Sequence, residues 1–109
     1  MDARLIMSEY KIEIRNLRKV LAENISNLIL GEKLPLDITN EETGEVIVAA
    51  GKRVNKQTIL KIVLACPNVD IYPSPLRVGI MRVLYPYDQK VKEIEAELAK
   101  KLKKLEESA

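Results

Sequence analysis

The sequence predicts an α+β fold: an antiparallel two-helix coiled-coil stalk carrying a small β-rich head with short helices. Three observations lead there. Ala3, Met7, Tyr10, Ile14, Leu17, Leu21, Asn24 and Leu28 alternate steps of four and three, the a/d spacing of a coiled-coil seam. Leu84, Tyr87, Val91, Ile94, Leu98 and Leu105 repeat that spacing at the other end, with Lys101 where one more apolar residue would fall and Leu102 beside it. Between the two seams, short apolar runs are punctuated by Gly and Pro. The division that follows is a first stalk helix over 1–30, a head over 31–73, and return helices over 74–109 that are kinked or broken near Pro86.

The first helix runs from residue 2 to about 29, with its charges off the seam. Glu9, Lys11, Glu13, Arg15, Arg18, Lys19 and Glu23 are ordinary surface charges worth little each. Asn24 falls on the seam. It either fixes register at a cost in stability or lies at the junction with the head and bonds to backbone there. Gly31 ends the helix, because it adopts the left-handed C′ conformation without a Cβ penalty.

In the head, Leu34, Leu36 and Ile38 alternate with Pro35, Asp37 and Thr39, the signature of a half-buried strand that begins at an edge. Residues 40–44 form a turn closed by Gly44, residues 45–50 a buried strand, and Gly51 breaks it. Asn55 caps a short helix over 56–65, which Pro67 stops. Residues 69–72 make a last short strand. Ser74 and Pro75 then read as N-cap and first helical residue. Pro86 lacks an N–H and clashes with the preceding turn, so a break or bend is expected over 85–88, with the long return helix extending to about residue 106. The lysines of 100–104 suit the negative end of its dipole.

Composition narrows the chemistry. The 109 residues suffice for one domain, and with no Trp or Phe the core is aliphatic. The charged fraction of 31% fits long exposed helix faces, and a net charge of +2 is too small to imply a polyanion partner. There is no histidine and a single cysteine, Cys66, which excludes an internal disulfide framework and a Cys/His metal site. Cys66, at the end of an apolar helix, reads as a structural thiol and not a nucleophile. The carboxylates Asp37, Glu41, Glu42 and Glu45 surround the hairpin turn without calcium-loop spacing and read as a solvated turn. No catalytic residue, cofactor site or metal site is expected. No apolar run reaches membrane-spanning length, and the opening is not that of a signal peptide, so a cytoplasmic location is expected.

One cluster stands out as a possible interaction surface: Arg77, Arg82, Tyr85 and Tyr87, near Tyr72. Interleaved cations and aromatics suit a nucleic acid, but a tyrosine collar at a helix–head junction follows equally from packing. Direct nucleic-acid contact is not expected. The seams pair either within one chain or with a second copy in trans; their matched lengths favour the hairpin.

Residues 34–62, LPLDITNEETGEVIVAAGKRVNKQTILKI, resemble a small β module of the large subunits of bacterial RNA polymerase, the sandwich-barrel hybrid motif. The shared pattern is a strand ending in Asp-Ile, a Thr-Gly-Glu hairpin, an apolar strand, a Gly, then a polar cap and a short Leu/Ile helix. Similar segments also occur in small β domains of bacterial signalling proteins. The flanks extend the likeness, since the flap region of the β subunit in many bacteria carries a lineage-specific insertion in which an antiparallel coiled coil leads out to such a module and back. The resemblance implies a non-catalytic insertion near the flap, by the RNA exit channel and the σ-factor contact, within a nucleotidyltransferase parent. It implies other polymerase subunits or transcription regulators as partners, an architectural or docking role in DNA-directed transcription, and a monomer in isolation. The alternative is a free-standing coiled-coil adaptor that dimerises through its helices.

Overall fold

Asp2 opens the first helix by accepting a hydrogen bond from the Arg4 N–H at 3.0 Å, and the helix, α1, then runs over Ala3–Ile29. The computed structural model describes residues 2–108. The remaining elements are β1 (Ile38–Asn40), β2 (Val46–Val48), α2 (Lys56–Ala65), β3 (Val69–Asp70) and α3 (Pro75–Ser108). The fold is α+β, with a helical stalk and a small sheet, as the sequence predicts.

The two long helices are antiparallel. Near the foot, Ile6 and Tyr10 of α1 share a cleft with Ile94, Leu98 and Lys101 of α3. At the head end, both methyl groups of Leu28 lie 3.8 Å from the place a Cβ would take on Gly79. The molecule is accordingly long and narrow, 56 × 22 × 20 Å.

The sheet has the order β2-β1-β3 and is antiparallel throughout, with an irregularity in register between Ile38 and Thr39. The turn between β1 and β2 is held from within. Asn40 Oδ1 accepts from the N–H groups of Glu42 and Thr43, and the Gly44 N–H donates to the Asn40 carbonyl at 2.8 Å. Gly44 takes a φ of +76°, the left-handed region that the turn needs.

Gly31 ends α1 as expected, with a φ of +81°. Its N–H, however, donates across to the Val54 carbonyl at 2.8 Å, and the Arg53 guanidinium donates to its carbonyl. The end of the helix is thus tied to the segment that enters α2. Asn55 and Thr58 form a reciprocal capping box at the start of α2. Ser74 Oγ accepts from the Arg77 N–H at 3.2 Å, capping α3, whose first residue is Pro75.

Four expectations are corrected. Residues 34–39 are not one strand. Leu34 and Ile38 are buried but Leu36 is exposed, because the chain bends at Pro35 and Leu36, between an isolated bridge of Lys33 with Arg53 and the ladder that starts at Ile38. The strands expected over 45–50 and 69–72 are shorter, Val46–Val48 and Val69–Asp70. Of the break or bend expected near Pro86, the break does not occur: α3 is unbroken through it. Pro86 is exposed, so the Arg82 carbonyl that loses its intrahelical donor lies on a face that water reaches, while Leu84 and Tyr87 hold the helix against the core. The seam of α1 also drifts. It follows the heptad through Ile14, Leu17 and Leu21, then passes to Ile25 and Ile29, leaving Asn24 and Leu28 exposed. A step of four overshoots a full helical turn by about 40°, whereas a heptad falls only about 20° short over seven residues, so the run Leu21, Ile25, Ile29 turns the apolar face toward the head. Asn24 therefore neither fixes register in a core nor shows a hydrogen bond to the head.

One contiguous core joins stalk and head. Leu21, Ile25 and Ile29 of α1 meet Ile80 and Leu84 of α3, together with Ile38, Val48, Val54, Ile59, Ile62, Val69 and Ile71 of the head. Burying a side chain of this size is worth about 1.5–3 kcal/mol.

Candidate interaction surface

The four residues singled out in the sequence divide between two faces of α3. Arg77, Arg82 and Tyr85 line a shallow groove of about 440 Å³ with Val78 and Met81. Val78 and Tyr85 are 53% and 67% exposed, a large apolar area for a surface helix. Tyr87 is half-buried and packs against the core instead. Tyr72 packs there too. One helical turn carries about 3.6 residues, so positions 77, 78, 81, 82 and 85 share a face, and position 87 falls well off it. The tyrosine collar is thus a packing feature for Tyr72 and Tyr87, and an exposed feature for Tyr85 alone.

Cys66 is half-buried at the C-terminus of α2 and packs against the core. Burial pushes its thiol up from an ordinary 9.0 to about 12, and the carboxylate of Asp88 adds to the rise. A thiol so far from ionising at neutral pH is a poor nucleophile, in line with the structural role read from the sequence.

Of the carboxylates around the turn, three are engaged within the head. Asp37 accepts from the Ala50 N–H at 2.7 Å, Glu42 from the Asn68 amide at 2.7 Å, and Glu45 pairs with Lys61 at 3.8 Å. Among the described residues, no group of three or more His, Cys, Asp or Glu is placed to hold a metal ion. No helix there is long and apolar enough to cross a membrane.

A second surface escapes the sequence reading. Two adjoining clefts, of about 1020 and 370 Å³, run between α1 and α2 and share Ala22, Glu23, Lys56 and Leu60. The signal for it is present: Lys11, Arg15 and Arg18, with Lys19, recur at helical spacing on one face. What the sequence lacks is the position of α2, whose Leu60 and Leu64 complete the groove.

The chain is 34% identical over 89 residues, 82% of its length, to the DNA-directed RNA polymerase subunit beta of Methylacidiphilum infernorum (isolate V4). Those residues are 7% of that protein, so the chain spans a small part of the relative it matches. No protein-family model matches the chain. No solved structure matches it either.

Proposed function

We propose that this chain, a relative of a segment of the bacterial RNA polymerase β subunit, is a non-catalytic insertion of such a subunit near the flap, serving as an architectural or regulator-docking module. The match over 82% of the chain carries the reading. The architecture supports it. An antiparallel pair of helices leads out to a head and back, so the module can rise from a host loop without disturbing the fold on either side. The residue inventory supports a non-catalytic role, since a chain without histidine and with a suppressed thiol is poor in acid–base and nucleophilic groups. In this reading the chain works in the cytoplasm within the polymerase. Its partners are other polymerase subunits or transcription regulators, and the face of Arg77, Arg82 and Tyr85 is available for contact. The isolated chain is a monomer.

An antibody raised to the head tests this in a lysate of the source cells. The expected result is a reactive band far above the 12.4 kDa of this chain that co-purifies with the polymerase core. A band near 12.4 kDa, separate from the polymerase and dimeric by sedimentation equilibrium, would overturn the reading in favour of a free-standing adaptor that dimerises through its helices.

A further inference from the structure

We infer that the groove between α1 and α2 is a docking site for an acidic, amphipathic protein helix. The inference rests on the docking reading above and names the chemistry of the partner. The floor of the groove is aliphatic: Ala22 and the side chains of Leu60 and Leu64, which are 57% and 67% exposed, with Leu30, 41% exposed, at its head end. Its rim is basic. Lys11, Arg15, Arg18 and Lys19 stand along α1 and Lys56 at the start of α2, against the single carboxylate Glu23. Among the described residues, none of these five cations is in a salt bridge.

An exposed apolar stripe flanked by unspent positive charge fits an occupant with the opposite pattern: an apolar stripe flanked by carboxylates. Helix-in-groove recognition has that form, with apolar anchors in the floor and complementary charge at the rim. The length also fits. Tyr10 to Leu30 line the two clefts over about 30 Å at roughly 1.5 Å per residue, and α2 walls about 15 Å of that, enough to seat a helix of about 10 residues between the two. A single nucleic-acid strand would find the charge but little to stack on, since Tyr10, at one end, is the sole aromatic lining the two clefts.

The test uses the 109-residue chain and three labelled probes. They are a synthetic amphipathic helix with a leucine stripe flanked by glutamates, the same peptide with lysines for glutamates, and a single-stranded DNA oligonucleotide. Fluorescence anisotropy should show binding of the glutamate peptide, weakening as salt rises. Replacing both Arg15→Glu and Arg18→Glu should weaken it at least about tenfold, chiefly through the association rate. Leu64→Asp, at a largely exposed position, should weaken it by a similar factor while the circular dichroism spectrum stays unchanged. Any of four results would overturn the inference: no binding of the glutamate peptide, equal binding of the lysine peptide, displacement by the oligonucleotide, or binding unaffected by all three substitutions. None of these bears on whether the parent chain co-purifies with polymerase, so a failure here and a failure of the insertion reading are distinguishable.

Discussion

The head end of the stalk and its foot are built from the same two helices, yet they bury their seams to different depths. At the head end, Leu21, Ile25, Ile29, Ile80 and Leu84 are all 3% exposed or less. Toward the foot, Val91, Ile94, Leu98 and Leu105 keep the a/d spacing of α3 and are only half-buried. On α1, Ile6 and Ile14 are buried while Met7 and Tyr10 are not fully so. The cleft between the helices there holds about 260 Å³ and is bordered by Glu9, Glu13, Glu93 and Glu97. Sequence periodicity does not account for the contrast, since Val91, Ile94 and Leu98 hold the seam without interruption and are still only half-buried. The difference is a third element. At the head end α2 and the sheet close over the seam, and Ile59, Ile62 and Val63 of α2 belong to the same core as Leu21, Ile80 and Leu84. At the foot two helices face each other alone, and each covers only one side of its neighbour's stripe.

The largest effect should come from a truncation matched across the two regions. Ile25→Ala, at a position 0% exposed, should cost about 2–5 kcal/mol by denaturant unfolding, because it removes core volume that its neighbours cannot fill. Leu98→Ala, in the half-buried foot, should cost about 1 kcal/mol or less. Equal costs would mean that the foot is as well packed as the head end and would break the comparison.

A smaller effect should follow from improving the foot. Lys101 occupies a seam position and is half-buried beside the cleft. Lys101→Leu should raise stability by about 0.5–1 kcal/mol, read as a higher Tm at low protein concentration. A lower Tm would show that the lysine stem already covers apolar surface there as well as a leucine would.

The smallest effect concerns the thiol at the end of α2. The neutral form of Cys66 is favoured in the fold, with ionisation at about 12 against 9.0 ordinarily. Below 9.0 both folded and unfolded chains hold the proton, and this contribution to stability is fully present. Between 9.0 and about 12 the unfolded chain releases the proton first, so stability falls as pH rises. Cys66→Ala should therefore lose less stability than the parent chain between neutral pH and pH values above 9.0, by urea unfolding at each pH. Identical slopes would place Cys66 in water instead of against the core.

Much was legible from residue order alone. The caps were: Gly31, Asn55 and the Ser74–Pro75 pair act through local backbone geometry, and each ends or begins a helix where the residue type requires it. The α+β class followed from periodicity, the long helices from their heptads, and the β-subunit resemblance from the run over 34–62, which the 34% relative bears out. Arg77, Arg82 and Tyr85, grouped in the sequence as interleaved cations and aromatics, lie together on one face of α3. Only the tertiary structure decided the rest. It turned the seam of α1 from Leu28 to Ile29, since burial follows the element packed alongside, and here that element is the head. It carried α3 unbroken through Pro86, because packing on both sides of the proline outweighs one missing hydrogen bond. It sent Tyr87 inward and left Leu36 outside. And it laid α2 along α1, making a basic groove from cations that a linear reading scatters over an ordinary helix surface. Local signals are set by neighbours along the chain, whereas burial depends on long-range packing, so the caps could be read in advance and the depth of the core could not.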